Sequence, residues 1–153
     1  MADEQTLIYG PLYQNLLSGM IADISSGSAK FKVALLKRTH TPSQDSDNWG
    51  QVKADEITDA DYAQKEITVG VSYANRVTLL EAPESVSFGS EVTITAGYAV
   101  IYDGRPGTDA NRKLVALIDF GKELSSVDGI FRIDFGKVGA QEAILKHTVA
   151  AAS

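Results

Sequence analysis

A chain of 153 residues with 44% hydrophobic side chains suits one compact domain with a substantial core, and excludes disordered and fibrous classes. Fourteen basic against twenty acidic side chains give a net charge of −6, which disfavours nucleic acid, whose binding draws on neutralised phosphates. Cysteine is absent, so disulfides, thiolate zinc sites and cysteine nucleophiles are excluded together, as suits a protein made in a reducing cytoplasm or one stabilised by partners rather than cross-links.

The first ten residues, MADEQTLIYG, are too acidic and polar for a secretory signal, and no window approaches the roughly 20 apolar residues of a membrane span. A soluble protein is expected, with an N-terminal arm over residues 1–10 and a single β domain over 11–153. Residues 11–22, PLYQNLLSGMIA, predict a helix: Pro11 suits a first helical position, and Leu12, Leu16 and Leu17 recur at helical spacing. The SSGS that follows ends it.

Beyond the helix the dominant period is two. Phe31, Val33 and Leu35 share one face of a strand, and Ile67, Val69, Val71 and Tyr73 do so in the next. The second strand, Ala74-Asn75 and RVTLLEA predict a hairpin over about 65–82, with Asn75 as a left-handed turn residue. VSFGS is a short strand or turn. The stretch EVTITAGYAVIYDG places Val92, Ile94, Ala96, Tyr98, Val100 and Tyr102 on one face of a long strand, and the breakers of DGRPGTDANRK make a loop. LVALIDFG and IFRIDFG follow as strands, and AILKHTV as a last one. Residues 39–64 are polar and rich in Asp, Ser and Asn, so a long loop with one helical turn is expected there. The fold class expected is all-β: an antiparallel sandwich or jelly-roll-like barrel with a short N-terminal helix and one long polar loop.

The pentapeptide IDFGK occurs twice, from Ile118 and from Ile133. Asp-Phe-Gly binds magnesium in protein kinases, but there it works with a glycine-rich loop, a strand lysine and a catalytic-loop Asp and Asn. No G-x-G-x-x-G and no His-Arg-Asp occurs here. The alternation instead predicts a hairpin burying Phe120, Phe131, Ile133 and Phe135, with KELSSVDG as its turn, Gly121 and Gly136 as strand ends, and Asp119, Arg132 and Asp134 outward. The segment DSDNWGQVKADE matches a calcium loop at Asp45, Asp47, Gly50 and Glu56, yet Trp49 stands where an oxygen ligand is required. A solvated acidic loop that docks one tryptophan is the simpler reading. His40 and His147 lack a partner at ligand spacing, and no G-x-S-x-G elbow exists. Neither a cofactor nor an enzyme is indicated.

The order of segments carries more than any one of them. IYGPLYQNLLSG, KFKVALLKRTHTPSQDSDNW, KADEIT, DADYAQKEIT, AGYAVIYDG and LVALIDFG with its two serines follow one another over about residues 8–137. This succession resembles a family of small structural proteins of tailed-bacteriophage and prophage virions. The chain departs from that pattern at Ala63-Gln64-Lys65, where members carry a glycine-rich turn, and in the tail VGAQEAILKHTVAAAS. The resemblance implies a capsid decoration or cement protein on the outer head surface, assembled in the host bacterial cytoplasm. Its partners would be the major capsid protein and further copies of itself, a trimer being the expected oligomer, with neither nucleic acid nor membrane involved. A tail, neck or fibre component is the alternative within the particle, and a carbohydrate-binding β-sandwich module the alternative of another class. The expected contacts are Leu7, Ile8 and Tyr9 of the arm, ordering on docking, and Trp49 of the long loop.

Overall fold

In the computed structural model the described residues are 5–24, 29–83, 85–135, 137–138 and 141–151. Ten strands form: β1 (Gln5–Ile8), β2 (Ala29–Leu36), β3 (Lys65–Ala74), β4 (Val77–Glu81), β5 (Ser85–Ser87), β6 (Val92–Tyr102), β7 (Leu114–Gly129), β8 (Arg132–Asp134), β9 (Lys137–Val138) and β10 (Gln141–Thr148). One helix, α1 (Leu12–Leu17), follows β1, with Pro11 at its N-cap. Seven antiparallel strands in the order β1-β7-β6-β2-β3-β4-β10 make a sheet nearly closed into a barrel, and β9 adds to β10 at the edge. β5 and β8 form a separate two-stranded ribbon. The chain is thus all-β, as its period-two runs require.

Both faces of the central strands are covered. Phe31, Val33, Leu35, Ile67, Val69 and Ile101 fill the barrel interior, while Ala34, Leu36, Tyr98, Val100 and Tyr102 form an outer core. This explains the unbroken apolar runs VALL and AVIY, since a strand buried on both sides has no need of polar residues between apolar ones. The outer core is roofed by the polar loop expected over residues 39–64. That loop contains two short 3-10 turns, Trp49–Gln51 and Lys53–Asp55, rather than one helical turn.

The β3–β4 hairpin turns at Asn75 and Arg76, with φ of 52° and 66°. Two consecutive left-handed residues make the mirror-image turn whose twist matches paired strands. On β3 only Ile67 and Val69 of the predicted apolar face are buried; Val71 is 38% and Tyr73 67% exposed, because the hairpin runs out past the core.

Four expectations are corrected. The two IDFG segments do not pair with each other: KELSSVDG continues β7 as strand, and the second segment enters β8, where Ile133 lies opposite Val86. Phe120, Phe131, Ile133 and Phe135 are all buried nonetheless, so the apolar face was read correctly and its pairing was not. Gly121 does not stop a strand. With φ of 76° it sits in a bulge where one residue between Ala96 and Tyr98 faces four between Asp119 and Leu124. The same irregularity shifts the phase of β6: Ile94 and Ala96 point inward, Tyr98, Val100 and Tyr102 outward, instead of sharing one face. Lastly, residues 5–8 of the expected arm are strand β1, paired with β7 from Gln5 opposite Asp119 to Ile8 opposite Ala116. Gly136 and the SSGS segment lie outside the described residues. From Phe120 onward β7 is paired on one side only among the described residues, since β1 ends its register at Asp119.

Candidate functional site

Three of the four residues expected at an interface, Leu7, Tyr9 and Trp49, belong to the outer core, and the fourth, Ile8, turns the other way. Trp49 is 4% exposed and stacks on Tyr102, ring centroids 4.5 Å apart and planes 4° from parallel. Tyr9 is 2% exposed, and burial pushes its phenol well above the ordinary value. Leu7 packs against the same outer core and Ile8 against the barrel interior, each half-buried. Trp49 and Tyr9 are therefore spent on the chain's own core and are not free as surface anchors. A tryptophan in a polar loop signals burial somewhere, but the sequence does not say whether in the same chain or in a partner.

A set of ion pairs fastens the roof. Arg38 donates to Asp119 at 2.7 Å and lies over the Tyr98 ring. His40 Nδ1 lies 2.7 Å from Asp55, and its ring meets Tyr98 edge-on. Lys53 and Arg112 both hold Asp109. Asp47 accepts from Lys113 at 2.5 Å and from Asn15 of α1 at 2.9 Å. Burial pushes the Asp47 carboxyl up, but the donors Asn15 and Lys113 outweigh it and leave its pKa below the ordinary value. Glu56 accepts from Tyr62 and Gln64, at 2.6 and 2.8 Å. Asp47 and Glu56 of the calcium-loop match thus serve separate sets of partners. Among the described residues no three His, Cys, Asp or Glu converge as metal ligands.

The same contacts fix α1. Leu12 is fully buried, Asn15 is held by Asp47, and Arg105 ties down the chain after the helix by donating to the Ala22 carbonyl at 2.7 Å. Arg105 is itself oriented by a two-pronged pair with buried Asp103, at 2.7 and 2.8 Å. Apolar side chains stand exposed on α1 and just past it: Tyr13 is 47%, Leu17 90% and, beyond the helix, Met20 46% exposed. Between α1 and the strands β3, β4 and β10 lies a groove of about 280 Å³, lined chiefly by Tyr13, Leu16, Ile24, Val71, Leu79 and Leu145. Among the described residues Thr78 and His147 are the polar members of the lining, and no Asp, Glu, Lys or Arg joins them. A second groove, of about 450 Å³, runs beside the distal half of β7, lined by Phe120, Leu124, Phe131 and Ile133 together with the polar Ser125, Arg132 and Asp134. Val127 and Ile130 stand exposed in that region, 76% and 68%.

Comparison with known proteins gives no match: no family model, no curated protein and no solved structure is similar to this chain. The geometry supplies what those comparisons do not. Its exposed apolar side chains gather at two places on different elements, the groove at α1 and the distal half of β7. The signal for the first surface is visible in PLYQNLLSGM, where Leu12, Tyr13, Leu16, Leu17 and Met20 are too many apolar residues for a helix with a single buried side.

Proposed function

We propose that this protein is a structural component of a bacteriophage particle, a decoration or cement protein that binds the outer surface of the major capsid protein shell and stabilises it. The observation that carries this reading is the exposed apolar surface: the groove at α1, and Val127 and Ile130 standing out beside the mixed groove of distal β7. Contiguous exposed apolar surface marks contact with other molecules, and large side chains near 50–90% exposure are costly to leave in water. The ordered segments from IYGPLYQ to LVALIDFG support the virion as the setting. In this role the protein acts by surface burial, with neither cofactor nor chemistry of its own.

The test is to add purified protein to shells that lack it and to measure saturable co-sedimentation together with the temperature at which the shells open. Binding on the order of hundreds of copies per shell, with later opening, is the expected result. Recovery in purified tails at about three to twelve copies, as ring symmetries dictate, would replace this reading with the tail or neck alternative.

A further inference from the structure

We infer that Asn15, Asp47 and Lys113 form an intramolecular isopeptide site, in which the Lys113 amine displaces ammonia from the Asn15 side-chain amide and Asp47 carries the proton. Both reacting side chains are shut away from water, Asn15 at 6% and Lys113 at 9% exposure. The other described lysines are half-buried or exposed, as a strongly hydrated ammonium requires. One carboxylate meets both groups: Lys113 Nζ donates to Asp47 Oδ2 at 2.5 Å, and Asn15 Nδ2 donates to Asp47 Oδ1 at 2.9 Å. Amine and amide therefore sit side by side on the two oxygens of a single group. The Lys53–Asp109 pair shows the contrast. Lys53 is exposed, and the other Asp109 oxygen meets Arg112, not an amide.

The backbone holds all three residues in place. The Leu114 N–H donates to the Asp47 carbonyl at 3.0 Å and Asn48 bridges Lys113, so the long loop runs beside the start of β7. Asn15 is fixed through its own N–H by Pro11, at 2.9 Å, and through its carbonyl by Ile21, at 3.1 Å. Groups so held react as though highly concentrated, which an amine and an amide free in water never are.

The step balances without a co-reactant. Lys113 passes one proton along its hydrogen bond to Asp47, and the freed Nζ lone pair attacks Asn15 Cγ. The Cγ–Nδ2 bond breaks as a hydrogen moves from Nζ to Nδ2, and Asp47 returns its proton to the departing nitrogen. An ammonium ion leaves, Nζ and Cγ are joined as an amide, and Asp47 is a carboxylate again. Burial favours the neutral amine and acid over the separated charges. Asp47 still holds a proton weakly, its pKa lying below the ordinary value, so the first transfer limits the rate. The bond ties α1 to β7 and closes the loop between Asn15 and Lys113, a covalent closure in a chain without cysteine. It lies within one chain and is independent of the virion role.

Mass spectrometry of the purified full chain, fresh and after prolonged incubation at neutral pH, tests this. The wild type is expected to become lighter by one ammonia, and trypsin to release residues 1–30 branched onto residues 113–122. Lys113→Arg keeps the charge without the primary amine and retains full mass, as do Asn15→Ala and Asp47→Ala. On a denaturing gel the wild type runs ahead of Lys113→Arg, a difference that an ion pair cannot make once the chain is unfolded. A wild type that keeps its full mass throughout overturns the inference, whatever the variants do. Ammonia loss that persists in Lys113→Arg, or that leaves residues 1–30 unbranched, also overturns it and assigns the loss to an imide at an asparagine.

Discussion

Burial pushes the phenols of Tyr9 and Tyr62 far up, Tyr62 being held further by its hydrogen bond to Glu56, and raises Tyr102 from 10.0 to about 12 against the opposing pull of Gln64. A phenol that resists ionisation in the fold stabilises it below the unfolded value and stops doing so as the pH climbs through the folded one. Stability is therefore expected to hold up to about pH 10 and to fall steeply above it. Followed by tyrosinate absorbance, these three phenols should appear together with unfolding, in one step. A smooth titration with the fold intact would show that the roof over the outer core admits water.

At the scale of elements, two backbone positions make opposite predictions. Arg76 adopts φ of 66° in the β3–β4 turn, where a side chain costs roughly 1 kcal/mol, so Arg76→Gly should stabilise the domain by about that amount in urea unfolding. Gly97 packs under Arg38, and a methyl there would overlap the Arg38 Cα, a backbone atom that cannot swing aside. Gly97→Ala should cost about 1–3 kcal/mol in the same assay. These positions also mark how far the sequence could be read. The hairpin was legible because Asn75 names its own turn, and β2 and β10 because alternation and apolar runs are local signals. The bulge opposite Gly97 was not, because four residues of β7 looping against one of β6 is a property of the pair. For the same reason KELSSVDG, composed like a turn, is held as strand by β6, where Thr95 and Ser125 join through their hydroxyls at 2.8 Å. Tyr9 and Trp49 were legible as anchors, but what they anchor to is decided by the roof, whose ion pairs span up to 81 residues of sequence.

For the molecule as a whole, the ladder that joins β1 to β7 and the one that joins β4 to β10 pair segments far apart in the chain. Such distant closures slow folding, and refolding on the millisecond-to-second scale is expected. Trp49, the single tryptophan, reports on it by fluorescence, because its stacking on Tyr102 forms only when the long loop settles on the outer core. A microsecond phase accounting for the full signal would mean that the loop closes before the barrel. Among the described residues the distal half of β7 is paired on one side only, which has a further consequence. An uncovered strand edge is a template on which like strands stack into fibrils, the chief hazard for a β protein that accumulates. Here Gly121 kinks that edge, Lys122 and Glu123 stand exposed at the kink, and Asp128, at φ of 46°, twists its far end. Charge and curvature fall where such stacking would begin, and each opposes it.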